Sequence, residues 1–120
     1  MGSDYKPLKM LFLDDERMPE DVTWITMYPG HYDIVRSSDE FCAYIKANGI
    51  PNIISFDNDL GGWREGYHCA DWLIGQFLFE GMKLPDEFDF TVHTMNPIAR
   101  KRIHDLMLHG LQEYTLTELL

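Results

Sequence analysis

A chain of 120 residues, 45% hydrophobic and 25% charged, has the length and balance of one globular domain (residues 1–120) with a real core. Its 20 acidic residues outnumber 10 basic ones, and the formal net charge of −10 excludes a non-specific grip on nucleic acid, which needs many Lys or Arg contacts to phosphates. No stretch approaches the length of a membrane span and the N-terminus lacks a signal-peptide core, so a cytoplasmic protein without membrane contact is expected.

Met1-Gly2-Ser3 has the look of an expression scar and is set aside. From Leu8 to Leu13 the chain is apolar apart from Lys9, which fits a strand buried on both faces, and it runs straight into Asp14-Asp15. Met18 to Gly30, bracketed by Pro19 and Pro29, shows no helical stripe; it is either a shortened helix or a loop carrying Trp24. Tyr32 to Val35 is a weaker strand. Ser37-Ser38-Asp39-Glu40 has capping-box spacing, Phe41, Tyr44 and Ile45 follow on one helix face, and Asn48-Gly49 supplies a stop.

Ile53 to Phe56 is a second buried strand, followed by Asp57-Asn58-Asp59. A helix starting near Gly66 carries Ala70, Leu73, Ile74, Phe77 and Leu78 and should end at Gly81. Phe88 to His93 is a further strand. Asn96-Pro97 reads as an N-cap with proline in the first turn; Ala99, Ile103, Leu106 and Met107 form the buried stripe, and Gly110 ends the helix. The tail from Leu111 to Leu120 is either a short last strand or a helix. Cys42 and Cys69 fall in predicted helices and read as reduced core residues of a cytosolic protein. Alternation of this kind predicts an α/β fold: a three-layer sandwich around a mostly parallel sheet of four or five strands. Helices cover both faces, and the first crossover helix is abridged.

In such a sheet, ligands bind beyond the carboxyl ends of the strands, where the strand order reverses. Asp14, Asp15 and Asp57 arrive there and would offer oxygens to a hard cation, Mg²⁺ or Mn²⁺. The metal would offset phosphate charge that bare carboxylates repel. Asp59 is either an acceptor behind those ligands or the cap of the Leu60-Gly61-Gly62 loop. His93 titrates closest to neutrality and is either a general acid or base or a strand-end histidine bonded to backbone. Thr94 offers a hydroxyl, Asn96 an amide, and the helix start at Pro97 its free N–H groups. Arg100 either forks onto phosphate oxygens or lies on a solvated face with Lys101 and Arg102; Arg17 is a second candidate for phosphate. His31, His68, His104 and His109 read as surface or cap residues. There is no nucleophile elbow, no Walker-type loop and no HExxH or CxxC pattern.

The two acidic clusters in this strand order resemble response-regulator receiver domains. Asp14-Asp15 fall on that family's Mg²⁺-binding pair and Asp57 on its phosphoacceptor. Gly66 lies near the glycine that opens the next helix, and Thr94 near the Ser/Thr after the fourth strand. The family's lysine after a fifth strand has no counterpart, and the usual first helix is missing or abridged.

The chain is more closely similar to the divergent cyclic-phosphate processing receiver domains. Leu11-Phe12-Leu13-Asp14-Asp15-Glu16-Arg17-x-Pro19, Ile54-Ser55-Phe56-Asp57-Asn58-Asp59-Leu60-Gly61 and Val92-His93-Thr94-Met95-Asn96-Pro97 carry the likeness. That group commonly has His where this chain has Asn58. The resemblance implies metal-dependent hydrolysis of a cyclic phosphate on a small molecule or an RNA end. Asp57, His93 and Asp59 would be catalytic, and Thr94, Asn96, Arg100 and Arg17 would hold the substrate. Asp57 could instead act as a nucleophile. The alternatives are a signalling receiver phosphorylated on Asp57 and a non-catalytic binding module whose acidic surface docks a basic partner.

Overall fold

The computed structural model describes residues 7–120, so the opening tripeptide lies outside the described residues. The elements run β1 (Met10–Leu13), a 3-10 turn (Pro19–Asp21), β2 (Asp33–Val35), α1 (Ser38–Asn48), β3 (Ile53–Phe56), α2 (Gly66–Leu78), β4 (Asp89–Val92) and α3 (Pro97–Glu118). Among the described residues the strands form one parallel sheet in the order β2-β1-β3-β4. This is the expected receiver-like α/β architecture, with four strands rather than five.

Topology decides which face each connection covers. The chain steps from β1 outward to β2, then reverses and steps across to β3 and on to β4. Right-handed crossovers that step in one direction lie on one face. So α1 and α2 share a face, and α3 packs beside α2 on the same side: Phe41, Ile45, Leu73, Ile103 and Met107 all meet Leu11, Leu13, Ile54 and Phe56 in one core. The connection from β1 to β2 steps the other way and lies on the opposite face. There Met10, Phe12 and Ile53 meet Val22, Trp24, Ile25, Met27 and Tyr32. Helices were expected on both faces; the structure puts the α-helices of the described residues, α1, α2 and α3, on one. The third layer is an irregular strap whose only helical piece is Pro19–Asp21.

Local signals hold at most ends. The Ser37 hydroxyl caps α1 by accepting from the Glu40 amide, and Gly49 takes φ +80° at its end. Asn96 caps α3 through the amides of Ile98 and Ala99. Gly110 is the exception. It does not end α3, which continues to Glu118 and settles the tail as helix. A Cβ on Gly110 would lie 2.8 Å from Ile74 Cγ1, so this glycine lets α3 approach α2 closely rather than stopping it. Cys69 is buried on α2 and Cys42 half buried on α1.

Gly66 has the same function at the other end of α2, with more at stake. A Cβ there would fall 1.7 Å from the Asp57 carbonyl oxygen, so the helix can start against the β3 loop only without a side chain. Gly66→Ala should therefore lower stability by about 3 kcal/mol or more in urea denaturation. Gly75→Ala, with nothing within 4 Å of its added carbon beyond its own helix, should raise stability by about 0.5–1 kcal/mol through helix propensity alone.

Candidate metal centre

The last paired residues of the strands are Val35, Leu13, Phe56 and Val92, all in register. The next residues along the four chains are Arg36, Asp14, Asp57 and His93. Backbone pairing carries on into this row: the Asp14 amide donates to Val35, the Asp57 amide to Leu13 and the His93 amide to Phe56. Side chains alternate along a strand, and the preceding Leu13, Phe56 and Val92 face the helices. The next position turns the other way. Asp14, Asp57 and His93 therefore converge on the strap side of the sheet, at the reversal in strand order between β1 and β3.

Asp14 is fully buried and densely bonded. One carboxylate oxygen, Oδ1, accepts from the amides of Glu16 at 3.0 Å and Arg17 at 2.8 Å; the other, Oδ2, lies 3.0 Å from His93 Nε2. Burial alone would raise its pKa. The two amides and the imidazole outweigh burial and leave the Asp14 carboxyl below its ordinary value. Asp57 is buried too, yet Oδ1 accepts only the neighbouring Asn58 amide, at 2.8 Å. Burial, then the charge of Asp14, push its pKa up to about 6. The Arg17 guanidinium stands 3.7 Å from Asp14 and 3.9 Å from Asp57, too far for tight pairing with either. It also lies over the Trp24 ring, 5.2 Å from the centroid.

His93 is fully buried, its ring stacked on Phe12 with centroids 4.5 Å apart. Thr91 Oγ1 donates to Ser55 Oγ at 2.7 Å, and Ser55 Oγ lies 2.8 Å from His93 Nδ1. A carboxylate on the far side makes Nε2 the protonated nitrogen, so Ser55 donates to Nδ1 and Nε2 donates to Asp14. Burial holds the His93 pKa below the ordinary range, against the pull of Asp14, and the ring is neutral near pH 7. Trp24 Nε1 donates to the His93 carbonyl at 2.7 Å and closes the strap over it. With both ring nitrogens engaged and no exposure, His93 supports Asp14; a proton exchanged with a ligand would have to pass through that carboxylate.

A cavity of about 180 Å³ opens beside the pair, lined by Asp15, Arg17, Asp57, Asp59, Thr94 and Asn96 among others. Asp59 is exposed there and caps its loop by accepting from the Gly61 amide at 3.0 Å, the loop-cap role weighed from the sequence. Thr94 is buried at the cavity wall, and its hydroxyl accepts from the Asn96 amide. The Asn96 carboxamide oxygen is used in capping α3, which leaves its NH₂ group for the cavity. Arg100 is not in the lining: Nε and Nη2 both donate to the Thr94 carbonyl, folding the guanidinium back on its own loop. Asn58 also turns away, donating to Glu65 and accepting from the Tyr67 amide, so it laces the β3 loop to the start of α2. His68 accepts from the Glu65 amide as a helix cap, and His31, His104 and His109 are exposed.

Four contributors to the site escaped the sequence reading. Arg36 Nη1 donates to the carbonyls of Asp14 at 3.0 Å and Arg17 at 2.5 Å, pinning the β1 loop. Ser55, Thr91 and Trp24 orient His93. Ser55 and Thr91 did carry a signal: each lies two residues before a site residue, Asp57 and His93, and so on the same face of its strand.

One side-chain atom from each of Asp14, Asp57 and His93 lies within 4.8 Å of the other two, but both His93 nitrogens are already hydrogen-bonded, which leaves the carboxylates to offer ligands. Two buried carboxylates with a surplus of negative charge are a donor set that fits a hard divalent cation, with Asp15 at the mouth.

An oxygen-rich site at the carboxyl edge of a β2-β1-β3-β4 parallel sheet defines a receiver-type domain. The chain matches the family model of the cyclic-phosphate processing receiver domain over residues 9–109, and it belongs to that family. It is also similar to a solved structure described as a yeast Spc42 trimeric coiled coil, amino acids 181–211, fused to another structure. That likeness has a TM-score of 0.52 at 16% identity and covers 95% of this chain and 80% of the other, so it bears on the fold alone. Comparison with curated proteins gives no match. No helix among the described residues is long and apolar enough to cross a membrane.

The raised Asp57 pKa has a defined sign. Its folded value of about 6 exceeds the unfolded value of about 3.9, so its protonation favours the fold below pH 4, and that contribution is lost as pH rises through 6. Asp57→Asn should therefore stabilise the metal-free protein at pH 7.5 by about 2–3 kcal/mol in urea titration and give little gain at pH 4. Divalent cations should raise the midpoint of the wild type at pH 7.5 and leave that of Asp57→Asn nearly unmoved. Arg17→Ala removes a cation that lies near both carboxylates and should tighten Mg²⁺ or Mn²⁺ binding about tenfold by calorimetry.

Proposed function

We propose that this chain hydrolyses a cyclic phosphodiester, on a nucleotide or an RNA end, with Mg²⁺ or Mn²⁺. The observation that carries the reading is the apposition of Asp14 and Asp57: two buried carboxylates at the strand-order reversal, one of them with its pKa raised to about 6. Left alone, that pair repels a phosphate as well as itself. Asp14 and Asp57 would hold the ion, with Asp15 as a further oxygen donor from the mouth. When bound, it would supply positive charge against the phosphate and lower the pKa of water beside it.

The remaining side chains divide the other tasks. Arg17 reaches over the cavity and can fork onto a non-bridging phosphate oxygen. The Asn96 NH₂ group and the Thr94 hydroxyl have hydrogens left to donate to the same oxygens. Asp59, in the mouth and with Oδ2 free of hydrogen bonds among the described residues, can take the proton of the attacking water. His93 holds Asp14 in its orientation through Nε2. Water adds to phosphorus, one ring P–O bond breaks, and the departing oxygen leaves as a hydroxyl.

The test is incubation with Mg²⁺ or Mn²⁺ and a panel of 2′,3′- and 3′,5′-cyclic nucleotides. Ring opening is expected, with Asp14→Asn and Asp57→Asn each lowering kcat about a hundredfold or more. If no member of the panel turns over while acetyl phosphate adds one phosphoryl mass to the wild type and none to Asp57→Asn, the chain is a phosphoacceptor instead.

A further inference from the structure

Trp63 is 78% exposed, an unusual place for the largest apolar side chain. It stands on the loop that follows Asp57 and Asp59, so the segment that walls the acidic cavity also carries the indole. The Arg64 guanidinium lies over the ring, 4.6 Å from its centroid, and the His68 ring meets it edge-on at 6.3 Å. The indole is propped by these contacts without being covered by them.

Beside it is a groove of about 330 Å³, bounded on one side by Leu60, Gly62, Trp63 and Arg64 and on the other by Ser37 and Asp39 at the start of α1. That volume falls in the range of small-ligand sites and suits one heterocycle with its sugar. The groove and the acidic cavity share a loop: Asp59 lines one, Leu60 and Gly62 the other. Between them Gly61 presses against Asp15, whose Oδ2 would lie 3.2 Å from an added Cβ. Gly61 also takes φ +75°, so a side chain there would be strained as well as crowded.

We infer that the Trp63–Arg64 groove binds the nucleobase of the substrate, stacking it on the indole while the cyclic phosphate lies in the acidic cavity. An indole with a guanidinium over one face keeps its other face for a base, and both aromatic rings and guanidinium planes are surfaces on which bases stack, whatever their sequence. Asp39 adds acceptors only, which suits a base edge that presents N–H donors. Bare cyclic phosphates would leave the groove empty. The inference rests on the proposed phosphodiesterase reading for its chemistry, but its binding test does not.

Calorimetry in Mg²⁺ with guanosine and cytidine 2′,3′-cyclic phosphates, and with glycerol 1,2-cyclic phosphate as a base-free probe, reads either turnover or binding. The wild type should favour the nucleotides about tenfold in KM or Kd. Trp63→Ala should erase that preference while leaving the base-free probe unchanged, and Trp63→Phe should restore most of it. Nucleotide should also quench tryptophan fluorescence more in the wild type than in Trp63→Phe, whereas the base-free probe should change both equally, because Trp24 lies under Arg17 at the acidic cavity and responds to phosphate in either protein. Nucleotides that bind with this Trp63 dependence but are not hydrolysed would sink the enzymatic reading and uphold the groove. Equal handling of all three probes, unchanged in Trp63→Ala, would overturn the groove and leave the enzyme standing. A Trp63→Ala loss that is the same for the base-free probe would make Trp63 a support of the loop and overturn the inference as well.

Discussion

The site is governed by the repulsion between two carboxylates that the sheet does not allow to separate. Asp14 and Asp57 are neighbours because β1 and β3 are hydrogen-bonded in register, and each follows its strand's last paired residue. Moving either away would mean breaking the rung that carries it. The fold answers the repulsion unevenly. Asp14 receives two amides, the imidazole of His93 and a backbone clamp from Arg36, and it stays ionised. Asp57 receives one amide and a distant guanidinium, and burial first, then the charge of Asp14, raise its proton affinity. One carboxylate is thus fixed by its hydrogen bonds, and the other is left with a raised affinity for a proton.

Much of this was legible from residue order. A parallel sheet needs apolar runs joined by crossovers, and the runs ending in Asp14, Asp57 and His93 could be seen without coordinates. Their convergence follows from register plus the alternation of side chains. Other features were out of reach because they depend on tertiary contact. Gly110 looked like a helix stop, yet its missing side chain serves the packing of α3 on Ile74. His93 looked like a group that meets substrate, because titration range says nothing about burial. Arg100 was open between a phosphate ligand and a solvated helix face, because helical position does not reveal that its guanidinium folds back on the Thr94 carbonyl. Arg36 drew no notice at all: a lone arginine after a short strand has no local pattern to mark it.

Membership in the cyclic-phosphate processing receiver family and the fold likeness at 16% identity agree on the frame and leave the details to this chain. The details matter. Between the two later aspartates, Asn58 bonds Glu65 and the Tyr67 amide and does not line the cavity. The groups at the mouth that can accept a proton are therefore carboxylates, while the buried imidazole, oriented by Ser55 and Thr91, bonds Asp14 from behind.

The strap on the non-helical face has a further consequence. A helix keeps its shape by its own ladder of backbone bonds, whereas residues 22–32 hold theirs mainly through side-chain anchors, such as Trp24 on the His93 carbonyl and Tyr32 on the Tyr28 carbonyl. Such a cover can lift as a local opening while the helical core stays intact. Its amide protons would then exchange with solvent at a rate that follows how firmly His93 is held, so deuterium uptake on this one segment becomes a gauge of events several residues beneath it.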